Sequence, residues 1–345
     1  MSLINLIYPK YKTLSIVGTS KNAGKTVAMK EVIAEAADKG IILGLISTGR
    51  DGERRDVLTN TEKPSVYARR GTIITTVEEA LSGMTARDNA GIEILDVTNF
   101  NTPMGKVVLG KVIEDGYVEI SGPRSSATIR QACDIMQQAG AELIIVDGSL
   151  DRRASAAPLV SECTMIAAGA SLSRNMDTVL QKVKHIVSLY TILKADKEVL
   201  NIATKAVKNG ETIIINESGA CKTVSTQTSL MCGGLVADSM SQDTKYVVLS
   251  GSATFETLIN IVLNKGAGVQ IIVKDATRIF LAENELFMLN KMGMDIKVLE
   301  DINIVAITVN PYSPEGYCFD PIEFLRKMRE TIPNIPVFDV ILEEC

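Results

Sequence analysis

Histidine is almost absent from this chain of 345 residues: there is one, His185, and no ligating residue stands near it in sequence. Zinc takes clustered Cys and His ligands at short spacings, so a zinc site is poorly supported and His185 reads as a helix-surface or packing residue. The six cysteines, Cys133, Cys163, Cys221, Cys232, Cys318 and Cys345, include no Cys-x-x-Cys pair. They read as free thiols, several of them buried, in a reducing compartment. No apolar run approaches the roughly 18 to 20 residues that cross a bilayer. Residues 1–12 lack a signal-like apolar core followed by a small-residue cleavage site. The expectation is a cytoplasmic protein with no membrane partner. An excess of basic residues is missing too: Lys and Arg number 36 against 41 Asp and Glu, for a net charge of −5. No basic stripe interleaved with aromatics appears, which argues against a nucleic-acid partner.

Apolar side chains are plentiful, at 46% of residues against 22% charged. That balance describes a well-cored chain, long enough for two ordinary domains. Apolar β-branched runs alternate with amphipathic segments, the pattern of parallel strands covered by helices. The expected fold class is α/β with a mostly parallel sheet. Strands are expected at 13–17, 41–47, 117–120, 143–146 and 164–168, and helices at 24–39, 126–138 and 176–194. From about 59 to 116 the pattern breaks into short strand-like pieces, among them 91–97 and 106–113, so a small β-rich insertion is expected there. A boundary near 195 separates a first domain, 1–194, from a second α/β domain, 195–345, which would face a partner or ligand. After a less regular stretch, that second part has strands expected at 246–249, 269–273, 296–299, 302–309 and 336–340. Helices are expected at 254–264, 283–291 and 321–330. These strands either extend the first sheet or form their own; a separate domain is preferred because they suffice for a sheet.

The stretch with most chemical content is Gly18-Thr19-Ser20-Lys21-Asn22-Ala23-Gly24-Lys25-Thr26, between an apolar strand and a helix. It reads as the phosphate-binding loop of a P-loop NTPase. Such a turn aims backbone N–H groups and the positive end of a helix dipole at one spot, which suits polyphosphate. Lys25 would reach the outer phosphates of ATP, and the Thr26 hydroxyl would bind the Mg that bridges them. A chance match in a glycine-containing turn is the alternative.

A nucleotide site also needs an acid for the metal, at the end of a neighbouring buried strand. Asp147 fits, after Leu143-Ile144-Ile145-Val146 and before Gly148; a surface aspartate at a strand end is the plain reading. Asp151, Arg152 and Arg153 follow, either sensing nucleotide or simply solvated. The second strand runs into Ser47-Thr48-Gly49-Arg50-Asp51. Because ligands of open α/β sheets bind at the carboxyl ends of strands, Asp51 is a candidate to orient water or hold the metal, and Arg50 to neutralise transferred charge. Catalytic candidates are therefore Lys25, Asp51 and Asp147, with Thr26 and Asp147 as metal ligands. Gly122 to Ser126 faces the same rim, where Arg124 either touches substrate or phosphate or belongs to a helix start capped by Ser125 or Ser126. Ser250 to Thr254 is a weaker anion candidate at another helix start.

The five-residue gap between Gly18 and Gly24 resembles the loop of dethiobiotin synthetase and the cobyrinic acid diamide synthases. The segment from Lys21 to Thr26 also resembles a small molybdopterin accessory protein. Asn310-Pro311 is similar to the asparagine that the dethiobiotin synthetase branch uses near adenine. Dimerisation across the phosphate loop is common in that branch, so a homodimer is implied, with Lys21 either acting in the neighbouring site or inert. Residues 18–26, 47–53, 146–153 and 309–317 together resemble the P-loop subunit of the lysine 5,6-aminomutase reactivase. That resemblance implies an ATPase that helps replace damaged cobalamin on a cobalamin-dependent aminomutase, with a second reactivase subunit as partner. A small-molecule ligase and a nucleotide-binding regulatory module are the competing functions. The resemblance favours ATP, and GTP is weakened because no Asn-Lys-x-Asp segment stands where guanine would be read.

Overall fold

Four aliphatic side chains in succession, Leu143 to Val146, can all be buried only if both faces of their strand are covered, the environment of a parallel sheet between helices. The computed structural model describes residues 2–48, 65–82, 88–148, 156–224, 232–265 and 268–342. In it Leu143–Asp147 is a strand buried from Leu143 through Val146. Alternate side chains take opposite faces. Ile144 and Val146 pack in one core with Ile129, Cys133 and Met136 of the helix Ser126–Gln138. Leu143 and Ile145 belong to the core on the other face, with Val32 and Ile33 of the helix Lys25–Asp38.

Among the described residues this strand lies within a nine-stranded sheet. Its order is Val337–Phe338, Ile304–Asn310, Cys163–Gly169, Thr13–Gly18, Leu143–Asp147, Leu43–Ser47, Ile73–Val77, Gly105–Glu114 and Gly91–Thr102. Pairing is parallel from Val337–Phe338 as far as Ile73–Val77, and antiparallel in the two outer pairs. The carboxyl ends of the parallel strands therefore share one rim. The fold is mixed α/β with a large, mostly parallel central sheet, as expected.

The chain divides into two compact units, residues 1–183 with 303–345, and residues 184–302. This corrects the boundary near 195 and the expected second domain at 195–345. The division falls inside the helix Met176–Tyr190, and Ile304–Asn310 returns to pair in parallel with Cys163–Gly169. Residues Val305 through Val309 are buried, and the edge of the first sheet supplies the neighbour that such an apolar strand needs. The β-rich stretch likewise extends the central sheet, through Ile73–Val77 and the hairpin Gly91–Thr102/Gly105–Glu114. The strand expected in the core at 117–120 is corrected too: Gly116–Val118 pairs with Val66–Ala68 in a small separate sheet.

The second unit has a five-stranded sheet among its described residues, ordered Cys221–Val224, Thr212–Asn216, Thr244–Leu249, Gln270–Val273 and Asp295–Val298. Its last three strands are parallel and its first two antiparallel. Helix Lys197–Lys208 packs Val199, Ala203 and Ala206 with Ile213, Ile215 and Val248, so the stretch expected to be irregular contains regular elements among its described residues. His185 bonds through Nε2 to the Leu281 carbonyl at 2.9 Å, a packing role. Among the described residues no helix is long and apolar enough to cross a membrane.

The helix Ser126–Gln138 starts at a true cap: Ser125 Oγ accepts the Thr128 N–H at 3.1 Å. Ser125→Ala should lower stability by about 1 kcal/mol, seen as a lower urea midpoint at unchanged slope.

Candidate functional site

The strand Thr13–Gly18 delivers the chain to the rim at Gly18, and the helix Lys25–Asp38 leaves from it at Lys25. The residues between need unusual backbone angles. Gly24 has φ of +100° and Asn22 has φ of +61°, a left-handed conformation that glycine takes freely and asparagine tolerates. The helix start has no side-chain cap, so first-turn N–H groups face the loop without one. The loop is pinned from several sides. The Thr19 N–H donates to the Ala167 carbonyl at 2.9 Å. Ser20 Oγ meets Ser171 Oγ at 2.8 Å, and Asn310 Nδ2 donates to the Asn22 carbonyl at 3.3 Å. Gly169 closes the packing beneath: a Cβ there would lie 2.6 Å from Ala23 Cα.

Lys25 crosses the rim. Its stem lies over Gly18, where a Cβ would stand 3.1 Å from Lys25 Cγ and Cδ. Its Nζ donates to the Gly148 carbonyl, the residue after Asp147. Asp147 is half-buried at its strand end, level with Ile16 on one side and Ser47 on the other. Its carbonyl accepts from the Thr48 N–H at 3.0 Å. Thr26, half-buried, is the second residue of the helix. Gly18, Asp147, Ser47, Gly169 and Asn310 thus end five adjacent parallel strands at one rim.

The other sequence candidates fall as follows. Lys21 is half-buried in the loop. Gly122 abuts the end of Leu43–Ser47, since a Cβ there would lie 2.4 Å from the Ser47 carbonyl oxygen, and Arg124 is exposed beyond it. Ser250 is occupied with Thr212, hydroxyl to hydroxyl at 3.2 Å, in the second unit. Arg50, Asp51, Asp151, Arg152 and Arg153 lie outside the described residues. Of the cysteines, Cys133 and Cys163 are buried free thiols, whereas Cys221 and Cys318 are exposed. Burial pushes the Cys133 thiol up to about 12, which keeps it protonated and unreactive.

Ser171 carried no local signal: it reaches the loop from about 150 residues away in sequence, while Asn310, singled out by resemblance as lying near adenine, reaches it from about 290. Beside the loop is a small hollow, with room for little more than one water molecule, lined by Val27, Val309, Val340 and Ile341 and by Gly24, Thr308 and Asn310. Thr308 Oγ1 and, within the loop, Thr19 Oγ1 are buried without a partner among the described residues.

Such an arrangement can hold an anion: helix N–H groups without a side-chain cap and the Lys25 side chain meet at a glycine-bounded turn. Magnesium needs only one or two protein oxygens when phosphate and water complete its shell, and Thr26 and Asp147 are oxygens of that kind. Among the described residues no group of three or more His, Cys, Asp or Glu side chains is gathered to hold a metal without such help. No protein-family model matches the chain, and no curated protein matches it.

Proposed function

We propose that this chain binds MgATP at the Gly18–Thr26 loop and hydrolyses it as a reactivation or assembly factor for a cobalamin-dependent aminomutase, together with a second reactivase subunit. The observation that carries the nucleotide reading is the path of Lys25, across Gly18 to the strand end that bears Asp147. In this reading the loop N–H groups and Lys25 hold the phosphates. Asn310 already bonds Asn22 and accepts from the Tyr312 N–H at 3.2 Å. Magnesium, held by Thr26 and Asp147, would supply charge neutralisation at the phosphates. Water oxygen then attacks the γ-phosphorus, the bond to the bridging oxygen breaks, and ADP and phosphate leave. Asp51 keeps the role of orienting that water. The mutase coupling comes from the sequence resemblance, and it requires that ATP and its products bind two conformations with different affinity.

The test is phosphate release with and without an aminomutase carrying inactive cobalamin. Partner-stimulated turnover supports the factor. Turnover that needs a carboxylate or amine substrate and ignores the mutase supports the ligase reading, for which exposed Arg124 on the same face is the supporting feature. Asp147→Asn should lower turnover about 10²-fold and raise the magnesium concentration needed, whichever reading holds.

A further inference from the structure

The central sheet ends in a long edge strand without lysine or proline. Its last strand, Gly91–Thr102, pairs only with Gly105–Glu114 among the described residues. Open edges offer N–H and C=O groups to any other strand, and proteins commonly blunt them by short length, lysine or proline. This strand has twelve residues and neither lysine nor proline, and its register against the inner strand shifts at three places, between Gly91 and Ile92, Ile94 and Asp96, and Val97 and Asn101. Residues 93–97 are all exposed. Ile94, Leu95 and Val97 keep 55%, 41% and 44% of their surface in solvent, and Ile113 on the inner strand adds 44%. A run of apolar side chains along one open edge marks an interaction site more than scattered ones do.

Charge selects the occupant. The strand has two ionisable side chains, Glu93 and Asp96, both acidic. Glu93 lies opposite Lys111, but Asp96 lies opposite Leu109 and has no cross-strand cation. A second copy of the strand would bring two more carboxylates and no cation to the pairing. We infer that the edge takes an extended segment of another protein as an added strand, with a lysine or arginine beside Asp96 and β-branched side chains against Ile94 and Val97. The inference is independent of nucleotide binding.

The test uses the full chain and two labelled probe peptides, Thr-Val-Lys-Val-Thr-Val-Lys-Val and the same peptide with Glu in place of Lys. By fluorescence anisotropy the lysine peptide should bind about tenfold tighter than the glutamate peptide. The preference should vanish in Asp96→Asn and reverse in Asp96→Lys, and amide exchange should slow at residues 92–98. Equal affinity for the two peptides, no binding of the lysine peptide, or a preference that survives in both variants overturns the inference. Sedimentation that shows self-association through this edge overturns it in favour of a second copy.

Discussion

Replacing Lys25 by alanine should lower ATP turnover by about 10²- to 10³-fold, the usual loss when one preorganised charge donor leaves a phosphoryl-transfer site. The expected loss follows from where the side chain lies in the proposed site. Its stem is fixed over Gly18 and its ammonium is held at the strand end next to Asp147, so little reorganisation is needed to reach a phosphate at the rim. The fold should survive. Lys25 is half-buried, and alanine removes one bond to the Gly148 carbonyl, a change of about 1 kcal/mol. Phosphate release and thermal unfolding, measured on the same preparation, separate the two effects. Full turnover in a folded Lys25→Ala protein would detach the lysine from the chemistry.

Gly169→Ala should be nearly as damaging without touching any ligand. At this position the backbone is extended, with φ of −128° and ψ of 152°, so alanine is allowed by its own dihedrals. The obstacle is contact: the new Cβ would lie 2.6 Å from Ala23 Cα and 3.1 Å from the Ala23 carbonyl carbon and oxygen. Those are backbone atoms of the loop, and they can yield only if the loop lifts from the strand. An overpacked core position costs about 1 to 3 kcal/mol, and a displacement of roughly 1 Å in a positioning element costs up to about 10²-fold in rate. The control is Gly234→Ala, in the helix Cys232–Ser239, where a Cβ meets nothing within 4 Å. That change should be neutral or stabilise by up to about 1 kcal/mol. Denaturant unfolding and nucleotide titration of both variants check the contrast.

Much of the rim was legible in sequence because its signals are local. The strand Thr13–Gly18, the helix Lys25–Asp38 and the strand Leu143–Asp147 lie within a residue or two of the runs that announced them. The helix Glu283–Lys291 matches its expected bounds. Pairing was not legible. The apolar run Ile304–Asn310 declares a buried strand but says nothing of which sheet buries it, and its neighbour Cys163–Gly169 is about 140 residues earlier. The same limit hid Ser171, a polar residue whose relevance to the loop exists only after the sheet is assembled, and the bond of Asn310 to Asn22, which the resemblance did not imply. Helix Lys197–Lys208 was missed although its core-facing residues, Val199, Leu200, Ala203, Ala206 and Val207, recur at helical spacing. Asp51, drawn from position after the second strand, lies outside the described residues, so its part in the site rests on sequence alone.

The measurement that bears most directly on the central claim is a calorimetric titration of ATP and of GTP into the wild-type chain, each with and without magnesium, repeated on Lys25→Ala. The account predicts magnesium-dependent binding of ATP, weaker binding of GTP, and loss of the ATP signal in the variant. Absence of ATP binding to the wild-type chain, or equal binding by the folded variant, would contradict it and make the Gly18–Thr26 loop a structural turn.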